Sequence, residues 1–174
     1  MLGQFFSLFG GDYGIIQTVN RMKGLVYQSM RLPNQPIRAR AENILRWVQE
    51  RLEEEEVRAL FNFVQSHFHY VNDPFDIELL KSPDVSDAEI ERTGFFMGDC
   101  DDASTYLAAL LKSVGYAPYF IVATPADSDS FDLSHVYVKV NIPSMDLWIT
   151  LDPTARGKPF GWEVPAKRIE SYAV

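Results

Sequence analysis

The chain has one cysteine in 174 residues. An internal disulfide is therefore impossible, and no covalent staple holds the fold. A reducing compartment suits such a chain without being required by it. Basic charge is also scarce: 16 Lys and Arg stand against 24 Asp and Glu, a formal net charge of −8. Nucleic acid and anionic membrane both reward a basic surface, so neither is an expected partner. No apolar run reaches 18 residues, and no membrane-spanning helix is expected. The opening, MLGQFFSLFGGDYG, is apolar but has no basic flank, and Gln4, Ser7 and the Gly10-Gly11 pair break it. It reads as neither a signal peptide nor an anchor, which favours a cytoplasmic chain. There is no internal repeat, no low-complexity tract and no phosphate-binding loop, since FGGDYG (9–14) does not match one.

What remains is an ordinary globular composition, 47% apolar, long enough to bury a real core. Apolar residues recur at helical spacing over 13–30, through Ile15, Ile16, Val19, Met22, Val26 and Met30. Pro33 and Pro36 end that segment. A second helix is expected over about 37–51. A third opens at EEEE (53–56), where acidic side chains complement the helix N-terminus, and runs to about 68. Asn72-Asp73-Pro74 reads as a turn, and a short helix is expected near 86–92. The clearest helix carries Ala103, Tyr106, Leu107, Leu110, Leu111 and Val114 on one stripe and stops at Gly115. Asp99 suits its N-cap, with Asp102 as the partner in a capping box. Strands follow at 117–124, 133–142 and 147–152. Helices followed by antiparallel strands make an α+β fold. The expected division is a helical N-terminal arm, 1–35, and a main domain, 36–174.

The lone thiol lies in MGDCDDAS (97–104), between a glycine and acidic residues at a helix start. That setting keeps a sulfur reachable, and the helix N-terminus is expected to lower its pKa. The flanking Asp99, Asp101 and Asp102 oppose the effect unless they point into caps or solvent. His135 can supply the counter-charge, as imidazolium against thiolate. Asp152 can then orient the histidine through its other ring nitrogen. A turn centred near residue 144 pairs 135 with about 153, so the two meet across neighbouring strands. Each residue singly has a plainer role: a small buried hydrophobe, a satisfied strand histidine, a turn-forming aspartate.

Together, GDCDDASTYLAALLKSVGY, SHVYVKV and LWITLDPTA resemble the transglutaminase-like branch of the papain-type cysteine enzymes. HYVNDP (69–74), ELLKSP (78–83) and GKPFGWEVP (157–165) add a likeness to phage-encoded members. The resemblance covers about 60–165. It implies a papain-like core with the nucleophile opening a central helix against an antiparallel sheet. Cys100 then matches the nucleophile, His135 the base and Asp152 the orienting acid. It also implies attack on an amide carbonyl of a peptide or protein and an acyl-enzyme intermediate. Water as acceptor gives a peptidase or amidase, and an amine gives cross-linking. A catalytically idle virion or assembly module of the same fold is the alternative, with a phage or bacterial protein partner on the N-terminal arm and a virion-associated location. The Cys100 N–H is the expected first oxyanion donor. Gln65, Tyr70 and, last, Asn72 are candidates for a second, and Phe95, Phe96 and Trp148 for the cleft walls. No cofactor or metal is expected. His67 and His69 lack further ligands at close spacing. DSDSFD (127–132) lacks the EF-hand pattern and reads as a solvated loop, although some members of the resembled family use calcium.

Overall fold

The computed structural model describes residues 4–6, 12–49, 52–74 and 78–174. The loose Gly-rich start at 7–11 and the end of the expected second helix at 50–51 lie outside the described residues. In chain order the elements are β1 (Gln4–Phe6), α1 (Asp12–Ser29), α2 (Pro36–Leu45), α3 (Glu53–His67), β2 (Phe68–Tyr70) and β3 (Glu78–Leu80). There follow α4 (Pro83–Thr93), β4 (Phe96–Gly98), α5 (Cys100–Ser113), β5 (Pro118–Pro125), β6 (His135–Ile142), β7 (Leu147–Leu151) and β8 (Ala166–Ala173). Helices precede an antiparallel sheet of order β7-β6-β5-β8, the expected α+β arrangement.

Local chemistry accounts for most boundaries. Pro36 opens α2, where its missing N–H would lack a partner in any case. Four glutamates fill the first turn of α3 and complement its positive end. Gly94, at φ 87°, ends α4 by closing onto the Ile90 carbonyl. α2 stops at Leu45 rather than continuing to about 51. Helical stability comes from a buried face, and among the described residues just beyond Leu45 none is fully buried: Trp47 is 86% exposed and Val48 folds back in a turn onto Leu45.

α5 is the centre of the molecule. Ala103, Tyr106, Leu107, Leu110 and Leu111 are wholly buried, and each large apolar side chain so placed stabilises by about 1.5–3 kcal/mol. The sheet covers one side through Phe120, Val122, Val136, Val138 and Val140, and α1 to α4 cover the rest. α1 is part of this body: Val19, Met22, Leu25 and Val26 lie in the same core. A polar knot fixes the helices laterally. Asp87 of α4 accepts from Tyr106 Oη at 2.6 Å and from Arg40 Nε of α2 at 2.7 Å. Among the described residues no helix is long and apolar enough to cross a membrane.

Two short pairings, antiparallel β1·β3 and parallel β2·β4, and the edge strand β8 are additions to the sequence-based expectation. The parallel pair sets Tyr70 beside Gly98, just ahead of α5. Asp102 does not complete a capping box. It is 2% exposed, and its Oδ1 accepts the Lys81 N–H at 2.7 Å. Gly98 is needed above it, since a Cβ there would fall 2.2 Å from Asp102 Oδ2. Burial pushes the Asp102 carboxyl up to about 8, against the pull of the Lys81 N–H. Between about pH 4 and 8 the folded chain therefore keeps a proton that the unfolded chain releases, and this group's contribution to stability falls as pH rises. Asp102→Asn retains an acceptor for Lys81. In thermal denaturation it should melt above wild type at pH 8 and lose that advantage at pH 4.

Candidate active site

The first residue of α5 is Cys100, capped by Asp99, whose side chain accepts the Asp101 N–H at 3.1 Å. The Cys100 N–H, at the first helical position, has no intrahelical acceptor. One turn on, the Ser104 hydroxyl donates to the Val136 carbonyl at 3.1 Å, while the Val136 N–H donates to the Cys100 sulfur. One face of α5 thus holds both backbone groups of Val136, the residue next to His135.

His135 opens β6, and β6 pairs with β7 so that Val138 faces Leu151. Continued, that register sets Asp152 opposite Tyr137, diagonal to His135 and on the same side of the sheet. His135 Nε2 lies 2.8 Å from Asp152 Oδ2. A carboxylate only accepts, so Nε2 carries the proton and Nδ1 is left with the basic lone pair. The other Asp152 oxygen accepts the Thr154 N–H at 3.0 Å and the Thr154 hydroxyl at 2.7 Å, which accounts for the DPT sequence. Burial raises the Asp152 pKa, but the bond and charge of His135 and the two Thr154 donors outweigh it and hold the carboxyl below its ordinary value.

Cys100 and His135 line one cavity of about 240 Å³, together with Asp99 and Asp101. Cys100 is 8% exposed, and its sulfur lies 3.6 Å from Asp101 Oδ1, to which the thiol donates. Among the described residues no hydrogen bond joins sulfur and imidazole. The expected lowering of the thiol pKa is overturned. Burial pushes it well above its ordinary value, Asp101 and Asp99 push the same way, and the Val136 N–H only partly offsets them. Of the flanking acids, Asp102 turns away to Lys81 and Asp99 into the helix cap, but Asp101 points at the sulfur and the charge of Asp99 is still felt there. Ligand atoms of Asp99, Cys100 and Asp101 lie within 4.8 Å of one another, the one such group among the described residues. Asp99 is already occupied as the cap and Asp101 as the thiol's acceptor.

The other candidates separate. Tyr70 is beside the site: burial, then the nearby Cys100, Asp99, Asp101 and Asp73, push its phenol up to about 12, so it stays protonated and can donate. Gln65 lines a different, polar cavity with His69 and Arg156, where its Nε2 is buried without a partner. Phe96 is core, packed between Phe68 and Tyr106, and is not a cleft wall. Trp148 stands opposite Asn141, six residues along β6 from His135, which is roughly 20 Å. It packs edge-on against Tyr119, well away from the cavity. Phe95 stacks on His69, and Asn72 is exposed in its turn. His67 stacks on Phe63, bonding its carbonyl, so the two histidines lean on different rings. Within the 127–132 loop, Ser130 bonds Asp132. Sequence reasoning missed the part played by α1. Its apolar spacing showed a buried face, but not that the face reaches the thiol's cavity.

The sequence model of the Transglutaminase-like superfamily matches residues 38–153. No curated protein matches significantly. Among solved structures, the fold is similar to a proposed protease from Parabacteroides distasonis, with TM-score 0.52 and 11% identity over 85% of this chain and 31% of that one. A proposed cysteine protease from Cytophaga hutchinsonii aligns with TM-score 0.49 and 13% identity over 88% of this chain and 55% of that one. A TGase structure aligns with TM-score 0.40 and 16% identity, over 91% and 37%. The chain thus spans between about a third and about half of these proteins.

The electrostatics give a direct test. Alkylation of Cys100 by iodoacetamide in the folded chain should still be rising at about pH 9, above the ordinary thiol range. Asp101→Asn removes a carboxylate from the sulfur and should shift that profile to lower pH. An unmoved profile would mean that burial alone sets the thiol's pKa.

Proposed function

This chain belongs to the transglutaminase-like superfamily, and from that premise we propose that it is a thiol-dependent amide hydrolase acting on a peptide or protein through Cys100, His135 and Asp152. The observation that carries the reading is the His135–Asp152 pair, 2.8 Å apart, on a cavity shared with a thiol at a helix N-terminus. The sulfur leaves Asp101 and turns toward His135, whose Nδ1 takes its proton as the sulfur attacks the substrate carbonyl. Asp152 supports the imidazolium that results. The oxyanion is held by the Cys100 N–H and by the Tyr70 hydroxyl, the one proposed second donor beside the sulfur. The C–N bond breaks, the amine leaves with the proton from His135, and a thioester remains. Water, deprotonated by the same imidazole, attacks the thioester. The products are a carboxylic acid and the free thiol.

A second reading has its own support. The buried thiol, hydrogen-bonded to a carboxylate and with its pKa raised, is what an idle binding module would keep. Turnover separates the two. A fluorogenic peptide-amide panel should be hydrolysed by wild type and not by Cys100→Ala. His135→Ala should cost nearly as much, and Asp152→Asn less, though still orders of magnitude. Tyr70→Phe should lower kcat by about 10²-fold with KM little changed. Equal rates in wild type and Cys100→Ala would end the enzymatic reading. A thiol labelled only after denaturation would favour the binding module. A primary amine included in the assay would reveal cross-linking as incorporated amine in place of acid.

A further inference from the structure

We propose that α1 builds the acyl-side-chain pocket of the Cys100 site, and that this pocket selects an aliphatic side chain on the residue whose carbonyl the thiol attacks. The inference rests on the hydrolase reading and adds a substrate class to it. Ile15, Thr18, Val19 and Met22 stand at i, i+3, i+4 and i+7, a single face of α1. All four line the cavity that holds Cys100 and His135. Val122 and Leu133 form the facing wall from the sheet side. α1 lies wholly outside residues 38–153, so this wall is an addition to the part of the chain that matches the superfamily.

The chemistry of the lining decides what fits. The α1 wall and the sheet side offer mainly carbon, and about 240 Å³ accommodates a branched aliphatic side chain. The charged groups are gathered at the thiol end, where Asp99 and Asp101 repel a carboxylate. A glutamine side chain would bring one acceptor and two donors into this space. The polar atom on the α1 wall is the hydroxyl of Thr18, a residue 7% exposed whose Oγ1 has no hydrogen-bond partner. Ser134 adds a second hydroxyl on the sheet side, so away from the thiol end two hydroxyl side chains stand among apolar ones, a poor match for the three hydrogen bonds of a carboxamide.

Peptidyl chloromethyl ketones test this on the intact chain. The Cys100 sulfur bonds the chloromethyl carbon, the C–Cl bond breaks, chloride leaves, and the thiol proton passes to His135. Intact-mass measurement gives the labelling rate for reagents ending in Leu, Ala, Phe, Gln or Asp. The Leu reagent should exceed the Ala and Gln reagents by about tenfold or more, with Asp slowest. Ile15→Trp narrows the pocket and should bring the Leu-to-Ala ratio to about one. Val19→Ala widens it and should move the preference toward Phe. Should one variant fail to fold by circular dichroism, the other carries the comparison. Leu, Ala and Gln rates within about threefold of one another, with Cys100 still labelled, would overturn the pocket and leave the hydrolase reading in place. A folded chain that no ketone labels, though its denatured form is labelled by iodoacetamide, would overturn both.

Discussion

Everything at this site depends on how the first turn of α5 seats on the start of β6. Cys100 and Ser104 lie four residues apart, on one face of the helix, and both engage Val136. The sulfur accepts the Val136 N–H, and the Ser104 hydroxyl donates to its carbonyl. Such a clamp fixes the helix along the strand as well as across it. Since His135 precedes Val136, the same two bonds set the imidazole's backbone relative to the thiol. The apolar burial of α5 supplies the stability, but burial is non-directional and would tolerate a small slide. The paired polar contacts are what specify the position.

The electrostatics at that turn are a contest with a definite winner. A helix N-terminus favours a charged sulfur by about 0.3–1 kcal/mol. A carboxylate about 4 Å away, in surroundings of intermediate dielectric, opposes it by about 4 kcal/mol, and Asp101 Oδ1 is 3.6 Å from the sulfur. Desolvation adds to the same side. The thiol therefore rests neutral. The other half of the site is already organised, with His135 held by Asp152 and Asp152 by Thr154. On the proposed hydrolase reading, the thiol proton would move once the sulfur turned from carboxylate to imidazole, and a substrate would have to displace the Asp101 contact first.

The sequence was most legible where burial is periodic. α5 followed directly from the spacing of Ala103, Tyr106, Leu107, Leu110 and Leu111, because each of those positions is core. The turn at 143–146 pairs 135 with about 153, whereas the observed register sets 154 opposite His135, one residue further on, and Asp152 reaches His135 on the diagonal. β8 left a weaker signal. AKRIESYA alternates between half-buried and exposed, as an edge strand does, and no continuous apolar run marks it. The Phe96 and Trp148 expectations failed for a common reason. An aromatic side chain's distance in sequence from a reactive residue says little about its neighbours, and here one fills the core while the other caps the far end of the sheet. The direction of the thiol's pKa could not be read from spacing either. It depends on where two short acidic side chains point, which is a matter of a few ångströms.

α1 shows how a shared core can be specialised without disturbing it. On its buried face Leu25 and Val26 serve the core alone, while Ile15, Thr18, Val19 and Met22 reach the cavity. Val19 and Met22 do both. A substitution at Thr18 therefore touches the cavity with little consequence for the apolar core, whereas one at Ile15, Val19 or Met22 touches both. On the proposed pocket, side-chain shape is least constrained by the core at Thr18. The unpartnered Thr18 hydroxyl fits that division. A buried hydroxyl without a partner costs about 1–3 kcal/mol, and a position that served packing alone would be better filled by valine, which is nearly the same shape. On the proposed pocket, a bound peptide would complete that hydrogen bond.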